Sequence, residues 1–166
     1  EVALELVVEQ LLHLGDGAVV PLKARSVVGL LPLAAVTTLG PATMARLPDF
    51  MKRVEWFTKH RPEGKGVVQH MESSEHAGWR MLSIVDEARL RRLLEVMLDP
   101  AEFLSDHGLR ALSKRHETAP LEVDVGGVTA RLDYEPGEST SGLFGGNSNW
   151  RGPVWFPVNH LLVEAL

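Results

Sequence analysis

SVVGLLPLAAVTTL, residues 26 to 39, is the stretch on which the fold reading turns. It is apolar on every side, which marks a buried helix. Its length suits a core helix and falls short of a bilayer span. Ser26 stands where an N-cap is wanted. One buried helix is therefore expected from Ser26 to about Thr38, kinked at Pro32 because proline removes a helical N–H.

On the N-terminal side, VVEQLLHLGDGAVVPL (7–22) places two apolar runs around Gly15-Asp16-Gly17, a hairpin signal. Residues 1–6 either extend its first strand or end an earlier helix. On the other side, Gly40-Pro41 stops the apolar stretch. A short helix over 42–46 follows, then a second near Pro48 with Phe50, Val54 and Phe57 on one face. RPEGKG (61–66) reads as a turn, and 67–71 and 79–85 as short strands. Asp86 caps the clearest amphipathic helix, whose inner face is Leu90, Leu93, Leu94 and Met97. Residues 100–104 are expected to add one more helical turn. LEVDV and VTARLDY around Gly126-Gly127 form a second hairpin, and 135–153 is irregular. Val158, Leu161, Leu162 and Ala165 then carry helical spacing to the last residues with no closing signal after them. The chain is thus expected to be a piece of a longer protein, a single partial domain over 1–166. About five helices and two small hairpins make the expected fold class mainly α, with β embellishments.

Composition narrows the function. Charged residues make up 23% of the 166, and the formal net charge is −5. Neither a general nucleic-acid binder nor a membrane-surface binder is expected. The chain has no Cys, so no disulfide framework or thiolate metal site exists, and a cytoplasmic location is the expectation. The seven His show no ligand spacing. G-x-G-x-x-G, Walker and G-x-S-x-G patterns do not occur, so no cofactor is expected.

The chemistry-bearing stretch is FGGNSNWRGPVWFPVN (144–159). Two Trp, two Phe, three Asn and one Arg sit on a backbone punctuated by Gly and Pro, the mark of a fixed loop. Indole faces suit the C–H faces of a sugar ring, and amide and guanidinium groups suit its hydroxyls. Trp150, Trp155, Arg151, Asn149 and Asn147 are the candidate saccharide contacts. An equally weighted reading is a packed corner in which the indoles seal the core and Arg151 pairs with a carboxylate. Two weaker candidates flank it. SDHGLRALSK (105–114) turns at Gly108 and offers Arg110, or is a turn with a surface Arg. YEPGESTSG (134–142) offers Glu135 and Glu138. Glycosidases set two carboxylates about 5–9.5 Å apart across the scissile bond. Glu138 is one by that logic, or else it pairs with Arg151 or caps a backbone N–H.

GGNSNWRGPVWFPVNHLLVEAL, together with SDHGLRALSK and PGESTSGLFGGNSNWRG, resembles the bacterial glucosidase-like and mannosylglycerate-hydrolase-like enzymes of glycoside hydrolase family 63. PLKARSVVGLLPLAAV and LDPAEFLSDHGLRALS share the likeness, which runs over most of 18–166. W-R-G-P-V-W is its most specific element. The resemblance implies part of an (α/α)6 barrel and hydrolysis of an α-glycosidic bond with inversion by an acid Asp and a base Glu. It implies that Trp150, Arg151 and Trp155 line the subsite of the sugar to be cleaved, with Asn149 and Arg110 nearby. The ligand implied is an oligosaccharide or small glycoside. The family's acid and base fall outside the matching region, so no catalytic residue is assigned, and the chain alone is expected to be inactive. Asp106-His107 depart from the family's pattern, which often has an aromatic residue there. Uncovered helix faces of such a piece are expected to favour self-association. A non-catalytic carbohydrate-binding or helical interaction module is the alternative.

Overall fold

The computed structural model describes residues 10–13, 15, 17–61, 68–70, 76–138, 140, 142 and 148–166. The expected turn at 61–66 and candidate Asn147 fall largely or wholly outside them. Strands β1 (Gln10–His13) and β2 (Val19–Leu22) pair antiparallel, as the hairpin signal predicts. The chain then enters a 3₁₀ segment, Val27–Ala34, capped by the Ser26 hydroxyl, which accepts from Val28 N–H at 3.1 Å. It leaves as strand β3 (Val36–Leu39).

Two short helices follow, α1 (Pro41–Arg46) and α2 (Pro48–His60), each opened by proline in its first turn. Strands β4 (Val68–His70) and β5 (Arg80–Ser83) complete a three-stranded sheet in the order β3-β5-β4. The last strand is inserted in the middle, antiparallel to both neighbours. Helix α3 (Glu87–Met97) begins at Asp86, whose carboxylate accepts from Arg89 N–H at 2.8 Å. Residues 100–103 are turn rather than helix, and a two-residue hairpin follows, β6 (Leu104–Ser105) and β7 (Gly108–Leu109). A 3₁₀ turn at Lys114–Glu117 leads to the hairpin of β8 (Leu121–Val125) and β9 (Val128–Leu132). Helix α4 (Phe156–Ala165) comes last.

The expectation of a mainly α chain forming part of an (α/α)6 barrel is therefore corrected. Among the described residues there are four α-helices and nine short strands in four small antiparallel sheets. The misreading started in 26–39. Pro32 and the tighter 3₁₀ geometry end the helical stretch at Ala34. The β-branched run Val36-Thr37-Thr38 then favours a pleated strand over a helix.

The core is organised around the 3₁₀ segment, not around helix pairs. Val27, Leu30 and Leu33 are buried with Val85, Leu93, Met97, Phe103, Leu109 and Leu162, so α3 and α4 both pack on that segment. A smaller cluster of Ala24, Leu112 and Leu132 sits under the β8–β9 hairpin. Phe103, Leu30 and Leu112 have no exposed surface. Truncating one such side chain leaves a cavity as well as losing its burial. Phe103→Ala is expected to destabilise the chain by about 3–5 kcal/mol; chemical denaturation would show this as a lower midpoint with an unchanged slope.

Candidate functional site

The site is built on one short segment, residues 110–113, held on both sides by backbone bonds. On one side Val27 N–H donates to Ala111 O at 2.8 Å and Ser113 N–H to Arg25 O at 2.8 Å. On the other side Ala111 N–H donates to Pro153 O at 2.9 Å, and Arg110 bridges Val154. The structure thus brings the G-L-R-A-L-S turn and the W-R-G-P-V-W loop together, although about forty residues separate them in sequence.

Arg110 is not a loose surface cation. Its Nη1 donates to the carbonyls of Pro100 at 3.1 Å and Glu102 at 3.4 Å and also to that of Leu104, and its Nε donates to the Tyr134 hydroxyl at 3.1 Å. The Tyr134 ring in turn covers Gly152, whose φ is +145°. A Cβ there would lie 2.6 Å from the ring, so only glycine fits.

Arg151 is 2% exposed. Its Nη2 lies 2.6 Å from Glu135 Oε2, and its carbonyl accepts from Glu135 N–H at 2.6 Å. Glu135, not Glu138, is the carboxylate that meets this guanidinium; Glu138 is exposed. Glu135 also accepts from the Thr140 hydroxyl at 2.7 Å and the Thr140 N–H at 3.2 Å. Those Thr140 bonds first, and the Arg151 charge with them, hold the carboxyl below the usual Glu range. A carboxyl kept ionised in this way is a poor proton donor, so Glu135 does not fit the general-acid role.

Asn149 closes the loop. Its Nδ2 donates to the carbonyls of Glu135 at 2.6 Å and Gly137 at 2.8 Å, and its Oδ1 accepts from Arg151 N–H at 2.9 Å. Its carbonyl accepts from Trp155 Nε1 at 2.9 Å. The indoles of Trp150 and Trp155 stack on each other, with centroids 5.2 Å apart and planes 18° from parallel. Both are half-buried and pack against the main core. The corner is anchored to α4 by Asn159, which the sequence reading passed over. Its Oδ1 accepts from Leu109 N–H at 2.7 Å, and its Nδ2 donates to Leu109 O at 3.1 Å and Trp155 O at 3.0 Å. The readable signal was its place four residues after Trp155, one helical turn on.

A buried polar group supports the same segment from below. Glu102 accepts from Arg25 Nη1 and from the fully buried Ser113 hydroxyl, and Arg115 lies 4.0 Å away. His116, also buried, accepts from Arg25 N–H through Nε2 at 3.0 Å, so its proton resides on Nδ1, 3.1 Å from Ala119 O. Burial first, and the Arg25 charge with it, pushes its pKa below the ordinary 6.5, against the raising effect of the Ala119 bond. Among the described residues no cluster of three His, Asp or Glu side chains is placed to hold a metal ion, and no helix is long and apolar enough to cross a membrane.

The chain is similar to the uncharacterized protein YMR196W of Saccharomyces cerevisiae, with 49% identity over 148 residues. That match takes in 89% of this chain and 14% of the yeast protein, so the chain spans about one seventh of that relative's length. No protein-family profile and no solved structure matches it.

Two outcomes follow from this geometry. Glu135→Gln keeps the shape of the Arg151 contact but removes the charge opposite a buried guanidinium. It is expected to cost about 1.5–3 kcal/mol, the range for a hydrogen bond to a charged group, read as a drop in unfolding free energy. His116 binds its proton more weakly folded than unfolded, so its contribution is complete above pH 6.5 and is lost as pH falls below that value. A melting temperature that falls between pH 7 and pH 5, and falls less in His116→Gln, is the expected result.

Proposed function

We propose that the chain is a segment of an inverting α-glycosidase acting on α-glucosides or α-mannosides, in which it supplies one side of the saccharide site and not the acid and base. The carrying observation is the W-R-G-P-V-W core. This is the most specific element of the likeness to glycoside hydrolase family 63. It is folded as a fixed corner that holds two parallel indoles half-exposed. Rigid aromatic faces are what a sugar ring stacks on. In this reading Trp150 and Trp155 make the contact. Arg151, Arg110 and Asn149 act mainly by fixing the corner, since their polar atoms already serve internal bonds. A cytoplasmic location goes with the proposal, supported by the absence of Cys.

That commitment of polar atoms also favours a second reading, a non-catalytic interaction module whose Trp corner is a brace. The two separate in one experiment on the complete yeast relative and on this chain. The glycosidase reading expects the yeast protein to release sugar from nitrophenyl α-glucoside or α-mannoside with the β-anomer formed first, seen by NMR. It expects this chain alone to release none. Substituting Ala for the yeast residue aligned with Trp155 is expected to weaken saccharide binding about tenfold, or about 1.4 kcal/mol. No hydrolysis of either class and no saccharide binding would leave the brace.

We further propose self-association of the isolated chain through α4, which exposes Phe156 at 79% and Val163 at 72%. Light scattering should show more than one copy per particle, and one copy in the double variant Phe156→Asp, Val163→Asp.

A further inference from the structure

His116 is a buried titratable group that the Trp corner does not use. Its ring is 5% exposed and sits between two backbone groups. Nε2 accepts from Arg25 N–H at 3.0 Å, and Nδ1 donates to Ala119 O at 3.1 Å. The Nδ1 bond is indifferent to the charge of the ring, because that nitrogen keeps its proton in both forms. The Nε2 bond is not. A second proton can land only on Nε2, where it turns an acceptor into a donor aimed at another donor.

Arg25 is the residue through which that matters. Its N–H is held by His116, its carbonyl accepts from Ser113 N–H at 2.8 Å, and its guanidinium meets Glu102. Two residues on, Val27 N–H donates to Ala111 O at 2.8 Å. These bonds hold one side of the 110–113 segment. Charges reach the ring from three places: Arg25 before the 3₁₀ segment, Glu102 in the turn after α3, and Arg115 on the ring's own turn. Burial weighs most against a charged ring; the Ala119 carbonyl favours it, Arg25 opposes it, Glu102 favours it and Arg115 opposes it. The balance disfavours the cation in the closed arrangement.

We propose that His116 is an acid-released latch: uptake of one proton at Nε2 parts Arg25 from the ring and opens the 25–27 side of the 110–113 segment, while the Pro153 side stays bonded. A general loss of stability in acid would touch every amide alike, whereas a latch frees one side only. The proposal does not depend on the saccharide reading, since none of these residues is a saccharide contact.

Amide hydrogen exchange of the intact chain, followed by NMR at pH 7 and pH 5 and corrected for intrinsic rates, reads the opening. Opening that takes up one proton grows by up to about tenfold per pH unit below 6.5. The Arg25 and Ser113 amides should therefore lose about tenfold or more of their protection. Ala111 N–H, bonded to Pro153 O, and Leu93 N–H in α3 should keep theirs. In His116→Gln the side-chain carbonyl can still accept from Arg25 N–H but does not titrate, so the pH dependence should vanish. In the unaltered chain the Arg25 amide shift should titrate with the same midpoint as the His116 ring, a test that stands even where the variant does not fold. Arg25 and Ser113 protection indifferent to pH, an equal loss at Leu93, the same loss in His116→Gln, or separate midpoints for the Arg25 amide and the ring would each overturn the proposal.

Discussion

The structure depends on one short stretch of backbone, Arg110 to Ser113, being bonded on both sides. Residues 25–27 bond it from one side and 153–154 from the other. A segment buried inside a small domain must satisfy its N–H and C=O groups or lose about the worth of a buried hydrogen bond at each. Here three distant parts of the chain do so for one another. Glu102, Arg25 and Ser113 then fill the space beneath with a paired charge and a hydroxyl. A buried carboxylate is tolerable in such a place because it is hydrogen-bonded as well as paired.

That arrangement explains the behaviour of the candidate site. A loop rich in Gly, Pro, Asn and Arg would ordinarily be adaptable, but the side chains of Asn149, Arg151 and Asn159 end on backbone groups or a carboxylate nearby. Asn149 alone spans Glu135, Gly137 and Arg151. The cost of ordering the loop is met within the protein before any ligand arrives, which is what a pre-organised recognition surface requires. The same economy means that the guanidiniums of Arg110 and Arg151 are structural first.

Local signals in the sequence were good guides where they had local causes. Asp86 as a cap, Gly40-Pro41 as a stop, Pro48 near a helix start, and the two Gly-centred hairpins all act within a few residues, and each is found as expected. What failed was the assignment of 26–39 to one helix. Apolarity on all sides describes a buried segment without saying which kind. The decision lay with strand β5, more than forty residues away, which gives Val36–Leu39 a partner. That misreading, with the helical turn expected at 100–104, overestimated the helical content, whereas the barrel expectation came from the family likeness. In the site, the proximity of Arg110 to the Trp loop came from the family likeness, whereas the Glu135–Arg151 pairing and the Asn159 tie are long-range or rotamer-dependent facts with weak sequence traces.

Asn159 has a wider implication. A single primary amide engages both backbone groups of Leu109 while also holding the carbonyl of Trp155, so it behaves as a one-residue strand grafted onto a helix. Such a joint is directional, because donor and acceptor must keep their order. Rotation of the terminal helix by one residue would therefore misalign it and drag the Ser105–Gly108 hairpin tip along. The helix and the hairpin are geared together, and any motion that reaches the indole pair from α4 arrives already coupled to the turn.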